Sequence, residues 1–239
     1  MISYYNSIDE IKTDTVIIPV GSIEQHGTHL PTGTDYFIIK KLSEEVAKRI
    51  DAYLLPPLPV STCYEHKGTK GCARMRPSTF QMMLTDIILD LKDQGFKKVI
   101  LMLGHGGIFI AGPTIRELNA LYDDLEVIKV EALVNDEIRA VCEGSPMDEI
   151  HAGESETSLM LAICEEAVKK DKMVNNDYIP DVPREYLNYA PLPKLSPTGV
   201  WGLPSYATKE KGEKLIALKV EQALKVIEDA FKYTTPEKW

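Results

Sequence analysis

The sequence predicts an α/β fold in which helices pack against a mostly parallel sheet. Short apolar runs, each long enough for one strand, alternate with longer stretches that show the helical spacing of apolar residues. The 239 residues are 44% hydrophobic, which is enough for a sizeable core. Because no internal repeat, low-complexity tract or clear linker interrupts this pattern, we expect residues 1–239 to form one domain.

Four segments are predicted to contain strands. Two of them, TVIIPV and KVILML, are short apolar runs typical of buried strands. The second segment along the chain holds three prolines, so only its start can pair in a sheet. In chain order the four segments are residues 15–20, 53–60, 98–103 and 126–133.

Five segments are predicted as helices because their apolar residues share one face. Pro77 suits the first turn of the second helix, and Gly95 is suited to end it. The five segments are residues 36–50, 77–94, 113–122, 154–170 and 208–231. Residues 180–204 contain six prolines and two glycines and are expected to form a long ordered loop. Loops of this length often act as lids, binding loops or subunit contacts.

The charge balance argues against several classes of partner. The formal net charge is -9 and the pI is about 5.1, so we expect neither nucleic acid nor an anionic membrane as a partner. No run of apolar residues is long enough for a transmembrane helix, and residues 1–14 do not resemble a secretory signal. Four cysteines without a C-x-x-C pair favour reduced thiols in a cytoplasmic protein.

All five histidines lie outside the predicted helices and strands, which is the first indication of a site. Three of them follow the carboxyl ends of predicted strands, where open parallel sheets gather their ligands. The five are His26, His29, His66, His105 and His151.

The stretch PVGSIEQHGTHLPTGTD (residues 19–35) follows the first strand and carries Glu24, His26 and Asp35. Carboxylate and imidazole groups bind zinc, manganese and iron(II). Asp35 is a natural candidate to bridge two ions, since a carboxylate offers two oxygens. The alternatives are that Asp35 caps the following helix and that Glu24 and His26 belong to an exposed turn.

Two further stretches carry the remaining candidates. LMLGHGGIF (residues 101–109) sets His105 among glycines, which let the backbone approach a ligand closely. A phosphate-binding turn is the alternative there, although no nucleotide-binding fingerprint is present. DEIHAGESETSLML (residues 148–161) places His151, Glu154 and Glu156 at the start of a helix. Acidic residues at that position also serve as ordinary partners of the helix dipole.

Together these stretches resemble the creatininase family of metal-dependent amidohydrolases. The opening motif of that family is close to G-S-x-E-Q-H-G-x-H-L-P-x-x-T-D, and GSIEQHGTHLPTGTD (residues 21–35) matches every fixed position. The G-H-G-G and H-A-G-E-x-E-T-S stretches and TGVWGLPSYATKEKGE (residues 198–213) are also similar to this family. The resemblance implies a three-layer α/β/α sandwich and a site for two divalent ions, which are zinc, manganese or iron.

By motif position, the resemblance assigns four metal ligands. It implies that Glu24 binds one ion, that His26 binds the other, and that Asp35 bridges them. It also implies that His105 joins the ion held by Glu24. His151 is the expected catalytic proton donor to the leaving nitrogen, because its ordinary pKa is near 6.5.

The chain departs from creatininase itself at the second motif, where Gly106 and Gly107 replace a tyrosine and a metal-binding glutamate. One ligand is therefore missing from that loop, and Glu154 is the first candidate to replace it, with Glu156 the second. Met147 stands at the position of a tryptophan that packs on creatinine in that enzyme. We therefore do not expect creatinine as the substrate.

The expected function is a dinuclear metal-dependent hydrolase that cleaves a C–N bond through a metal-bridging hydroxide. The substrate is expected to be a small molecule, either a cyclic amide, a formamide or a related amide, and to contact His66, Gly106 and Gly107. One alternative is a ring-opening hydrolase of a keto-inositol, and another is a non-catalytic metal- or sugar-binding member of the family. The resemblance also implies a homo-oligomer, specifically a hexamer.

Overall fold

A parallel sheet of five strands lies at the centre of the structure, a computed structural model that describes residues 1–131, 136–144 and 149–234. The order of the strands across the sheet is β1-β3-β2-β4-β5, and every pairing is parallel. In chain order they are β1 (Ile2–Ser3), β2 (Thr15–Val20), β3 (Tyr53–Leu54), β4 (Lys98–Leu103) and β5 (Glu126–Glu131).

The helices follow the alternation that the sequence predicts, with several short additions. Among the described residues the α-helices are α1 (Thr34–Ala47), α2 (Pro77–Asp93), α3 (Ala111–Leu121), α4 (Asp136–Val141), α5 (Glu154–Ile163), α6 (Lys170–Met173), α7 (Leu192–Leu195) and α8 (Lys209–Thr234). Short 3-10 turns lie at Ile8–Glu10, Tyr64–His66, Glu165–Ala167, Arg184–Asn188 and Pro204–Tyr206.

Helices cover both faces of the sheet, so the predicted three-layer α/β/α sandwich is confirmed. On one face, Val16, Ile18 and Val20 of β2 pack with residues of α2 and α3. On the other face, Ile17 and Ile100 pack with residues of α1, α5 and α8. Because successive side chains of a strand point to opposite faces, a strand covered on both sides must be apolar throughout. That is the reason why β2 and β4 read as continuous apolar runs.

The predicted boundaries differ from the structure at several places, and the end of one predicted strand lies outside the described residues. The helix predicted over residues 154–170 ends at Ile163, and a 3-10 turn follows Cys164. The strand predicted over residues 126–133 ends at Glu131, and its last two residues lie outside the described part of the chain. Within the segment predicted as a loop, residues 184–188 and 192–195 form short helical turns.

Two glycines at the carboxyl edge of the sheet bring α1 close to β2 and β4. A methyl group at Gly21 would lie 2.8 Å from the backbone Cα of Tyr36, and one at Gly104 would lie 2.7 Å from Cβ of Ile39. Real Cβ atoms do not approach other heavy atoms this closely, so only glycine fits at these positions. The first turn of α1, which carries Asp35, therefore lies directly against the ends of both strands.

Candidate metal centre

Six acidic and histidine side chains converge at the carboxyl edge of the sheet. They come from the loop after β2, the first turn of α1, the loop after β4, and the start of α5. The register of the sheet pairs Val20 with Leu103, so the loops that follow the two strands leave the sheet side by side. The six residues are Glu24, His26, Asp35, His105, His151 and Glu156, and all except His105 and Glu156 are fully or almost fully buried.

Asp35 lies between two groups of donor atoms and presents one oxygen to each. Its Oδ1 is 3.2 Å from Nε2 of His26, and its Oδ2 is 3.3 Å from Nδ1 of His105. On the first side, Oε2 of Glu156 lies 3.9 Å from the same His26 nitrogen. On the second side, Oε2 of Glu24 lies 3.2 Å from Nδ1 of His105. The centre therefore has two halves that share the carboxylate of Asp35.

The donor set fits two divalent ions. Both carboxylate oxygens of Glu24 and Oδ2 of Asp35 are buried without an aligned hydrogen-bond donor among the described residues. Such oxygens are costly to bury unless a cation or a donor satisfies them. Two donors bound at about 2.0–2.1 Å to a tetrahedral ion lie about 3.3 Å apart. The oxygen–nitrogen distances of 3.2 and 3.3 Å around His105 match that separation.

Mutual attraction shifts the pKa values of a carboxylate and an imidazole at the centre in opposite directions. Burial alone would raise the pKa of Glu24, but His105 and His66 lower that pKa well below its ordinary value. Burial would lower the pKa of His26, but Asp35 and Glu156 raise it to about 9. Both effects show that carboxylates and imidazoles compensate one another's charge in a site from which water is largely excluded.

Glu156, and not Glu154, reaches the centre, which corrects the order in which the sequence ranks these two candidates. Oε1 of Glu154 lies 2.5 Å from Nζ of Lys211, and the backbone amide of Gly144 donates to its Oε2 at 2.7 Å. Residues two apart on a helix project about 200° from each other, so both cannot face one site. On α5 the side that faces His26 belongs to Glu156.

His151 lies beside both halves of the centre and is held by its neighbours. Its backbone pairs with that of Trp201, and its Nε2 lies 2.7 Å from the backbone oxygen of Gln25. Its Nδ1 lies 3.9 Å from Oε1 of Glu24. Burial, His26 and His66 lower the pKa of His151 well below its ordinary value. The imidazole is therefore neutral at physiological pH, so it must accept a proton before it can donate one.

His66 and His29 have different surroundings. Nε2 of His66 lies 3.0 Å from Oε1 of Glu24, and its Nδ1 lies 3.0 Å from Nε2 of Gln25. His29 lies outside the donor set, where its Nε2 is 3.0 Å from Oγ1 of Thr157. Burial and then His26 lower the pKa of His29 to about 4. His29 therefore supports the loop and does not supply a donor atom.

Two polar residues at the centre are not singled out by the sequence pattern. Gln25 lies between the two candidate ligands of the opening motif, and its Nε2 contacts His66, His151 and the backbone oxygen of Gly199. Glu65 lies next to His66, and its Oε1 is 2.6 Å from Nε2 of His105. The position of Gln25 within the E-Q-H motif is the signal that could have indicated the first. The position of Glu65 directly before His66, in the E-H pair of the central loop, is the signal that could have indicated the second.

A cavity of about 390 Å³ opens onto the centre. Gly106 and Gly107 line it together with His66 and His151. The segment after residue 183 closes one side of the cavity, which is a role expected for the proline-rich loop. The residues of this segment that line the cavity are Arg184, Glu185, Leu187, Asn188 and Leu192. Met147 lies outside the described residues.

The fold and the buried donor set define an α/β protein with a candidate two-ion centre at the carboxyl edge of its sheet. Residues 5–227 match the creatininase family, described as creatinine amidohydrolase. The chain belongs to the creatininase family.

Three relatives illustrate the range of this family. A 3-dehydro-scyllo-inosose hydrolase of Thermotoga maritima is 27% identical, with 90% of this chain and 77% of that protein covered. A mycofactocin precursor peptide peptidase of Mycolicibacterium smegmatis is 28% identical, with 84% and 79% covered. A creatinine amidohydrolase of Pseudomonas putida is 28% identical, with 90% and 89% covered. All three carry the names of hydrolytic enzymes.

Solved structures show the same fold. A putative creatinine amidohydrolase from Bacteroides fragilis has a TM-score of 0.79 and 28% identity, and the match covers 96% of both chains. A manganese form of creatininase has a TM-score of 0.74 and 26% identity over 91% of both chains. A zinc–zinc form of a creatininase variant has a TM-score of 0.74 and 25% identity, with 91% of both chains covered. Within the described parts of this chain, no helix combines the length and the apolar character needed to cross a membrane.

Proposed function

We propose that this protein is a metal-dependent hydrolase that cleaves a C–N bond of a small-molecule amide at a centre of two divalent ions. Glu24, His105 and Asp35 would hold one ion, and His26, Asp35 and Glu156 would hold the other. The observation that carries the proposal is the carboxylate of Asp35, whose two oxygens face two separate sets of donors. Zinc, manganese and iron suit these oxygen and nitrogen ligands.

Bound ions would supply Lewis acidity, which polarises a carbonyl and lowers the pKa of a nearby water. His151 supplies the proton transfer. Its Nε2–H donates to the backbone oxygen of Gln25, which leaves the lone pair of Nδ1 directed toward the side of Glu24. The neutral imidazole can accept a proton at Nδ1 and pass it to the departing nitrogen.

The shape of the cavity limits the substrate. Gly106 and Gly107 add no side chains to its wall, and a volume of about 390 Å³ admits a small molecule. Cyclic amides, formamides and related amides fit this space and this chemistry. Creatinine is disfavoured, because no tyrosine stands at Gly106 to pack against it.

A second candidate reaction is the hydrolytic opening of a keto-inositol ring. The observation that favours it is the similarity to the 3-dehydro-scyllo-inosose hydrolase over 90% of this chain. The same centre can serve, since a polarised carbonyl carbon is attacked in both reactions.

We further propose that the protein works in the cytoplasm as a homo-oligomer, a hexamer by family resemblance. All four cysteines are free thiols, which is compatible with a reducing compartment. Size-exclusion chromatography with light scattering measures the number of subunits, and a monomer at micromolar concentration would refute the oligomer.

The first test is the number of metal ions per chain, measured on protein purified without chelator and then offered zinc, manganese or iron. Wild-type protein is expected to hold close to two ions, and Asp35→Ala is expected to lose both. Asp51→Ala, which removes an exposed carboxylate far from the centre, is the matched control and should retain two. One ion or none in the wild-type protein would end the two-ion proposal.

The second test is turnover by the fully loaded protein on cyclic amides, formamides and keto-inositols. Hydrolysis of an amide supports the proposed reaction, and exclusive opening of a keto-inositol supports the second candidate. Two bound ions without turnover of any of these substrates would instead favour a non-catalytic binding protein.

A further inference from the structure

Glu65 approaches His105 from the side of the ring that the donor cluster does not use. Its Oε1 lies 2.6 Å from Nε2 of His105, while Nδ1 of the same ring faces Glu24 and Asp35 at 3.2 and 3.3 Å. The N–H of Nε2 does not meet the angle of an aligned hydrogen bond with that oxygen. Rotation of the Glu65 carboxylate about its last bond changes this angle without any movement of the backbone.

A carboxylate in this position selects the form of His105 that can bind metal. A neutral imidazole carries one proton, and the nitrogen without it is the donor to a metal. Since an ionised carboxylate only accepts hydrogen bonds, Glu65 favours the proton on Nε2 and leaves the lone pair on Nδ1. Histidines that bind metals commonly donate their other N–H to a carboxylate in this way.

The glycine at position 107 makes room for this carboxylate. A methyl group added to Gly107 would overlap both Oε1 of Glu65 and Nε2 of His105, and would lie 2.8 Å from Cδ of Glu65. Gly107 is not among the glycines with positive φ, so its backbone is open to other residues. The space, and not the backbone conformation, therefore requires glycine. Oγ1 of Thr62 donates to the backbone oxygen of Gly107 at 2.9 Å, which ties the two loops together.

We infer that Glu65 is a positioning residue that orients His105 for metal binding, and that Gly107 is glycine because any side chain there would enter the space between Glu65 and His105. The two features are then connected. The glycine at position 107 supplies no ligand, and the space that it leaves is filled by Glu65 beside His105. This inference rests on the proposed metal centre, but it concerns residues that are not themselves ligands.

Metal affinity, measured by competition with a chromogenic chelator for zinc, tests the inference on the full-length protein. Glu65→Ala is expected to weaken the binding of one ion by about 10–100-fold, the usual effect of losing a partner of a ligand histidine. Glu65→Gln should recover part of that loss, because its amide oxygen still accepts a hydrogen bond. Cobalt-loaded wild-type protein and Glu65→Ala should also differ in their visible absorption, which reports the ligand geometry and not the stability of the fold.

Gly107→Ala and Gly106→Ala form a matched pair of alanine substitutions at neighbouring glycines. Gly107→Ala should weaken the same ion as Glu65→Ala does, because the new methyl group would enter the space between the carboxylate and the ring of His105. A methyl group at Gly106 would meet only Nη2 of Arg184, at 3.7 Å, so Gly106→Ala should bind both ions like the wild-type protein. The double variant Glu65→Ala/Gly107→Ala should bind no more tightly than Glu65→Ala alone, because the methyl group at residue 107 still overlaps Nε2 of His105 when Glu65 is absent.

Three results would overturn the inference. Unchanged zinc affinity and cobalt absorption in folded Glu65→Ala would show that His105 needs no orienting carboxylate. Loss of the ion from Glu65→Gln as complete as from Glu24→Gln would make Glu65 a ligand. Unchanged zinc affinity in folded Gly107→Ala would show that the space at residue 107 is not needed to hold Glu65 beside His105. If the wild-type protein binds no ion, the proposed function is overturned as well. That outcome is distinguishable from the three results above, because they are measured on variants of a protein that binds metal.

Discussion

Lys211 lies 2.5 Å from Glu154, with its Nζ against Oε1 of a carboxylate that is completely buried. This pair holds the first glutamate of the H-A-G-E stretch away from the candidate metal centre. Glu156, two residues later, faces His26 instead. The two glutamates therefore lead to opposite predictions.

Glu154→Gln is expected to lower the free energy of unfolding and to leave the metal content unchanged. The substitution leaves Lys211 without its buried counter-charge, at a cost of about 1–3 kcal/mol. Urea denaturation of the loaded protein and elemental analysis measure the two quantities. Loss of an ion from a folded Glu154→Gln protein would contradict this assignment.

Glu156→Gln is expected to lose the ion on the side of His26 and to retain most of the stability of the fold. The amide is a poorer metal ligand than the carboxylate, and burial and Asp35 already raise the pKa of Glu156. Elemental analysis should give close to one ion per chain where the wild-type protein gives two. A full complement of two ions at equal affinity would show that Glu156 is not a ligand.

Removal of the ions is expected to lower the melting temperature. An ion that binds only the folded state at 100 times its dissociation constant stabilises it by about 2.7 kcal/mol. For a chain of this length that corresponds to a shift of roughly 5–10 °C per ion. Differential scanning calorimetry with and without chelator measures the shift, and Asp35→Ala is the control that should show none. Equal melting temperatures for the loaded and stripped wild-type protein would contradict the prediction.

His151→Gln is expected to lower kcat by about 10²–10⁴-fold without loss of metal, which is the usual contribution of a general acid or base. Burial, His26 and His66 lower the pKa of His151 well below 6.5. Its neutral form therefore predominates at pH 6.5 and at every higher pH. The rate of the wild-type enzyme at saturating metal should therefore fall only as the pH drops below about 6.5. An acid limb centred well above that value would assign the proton transfer to another group.

Gly21→Ala is expected to destabilise the protein by about 1–3 kcal/mol, the usual cost of overpacking, and to weaken metal binding. The added methyl group would lie 2.8 Å from the backbone Cα of Tyr36, so α1 must shift and carry Asp35 with it. Gly112→Ala, on α3, is the control because a methyl group there meets no atom within 4 Å. Thermal denaturation and metal analysis are made on both variants. A loss of stability and of metal in Gly21→Ala but not in Gly112→Ala would show that the effect comes from the close contact at residue 21 and not from replacing any glycine by alanine.

Several features of the fold can be read from the sequence because they depend on short-range patterns. The runs at residues 15–20 and 98–103 are apolar at almost every position, and both form strands with the predicted bounds. β1 is missed because a strand of two residues carries no periodicity. The single helix predicted over residues 154–170 is interrupted at Cys164, whose backbone leaves the helical region with φ of -153°.

The sequence by itself indicated the family motif, the α/β/α layers and the four candidate ligands Glu24, His26, Asp35 and His105. Hydrophobic periodicity and a long motif with fixed spacing carry that information within short stretches of chain. The tertiary structure alone decided that Glu156 faces the centre, because the direction of a side chain on α5 depends on how the helix packs. It also decided that Glu65 lies against His105. Forty residues separate the two in the sequence, and they meet because the loop after β3 packs against the loop after β4.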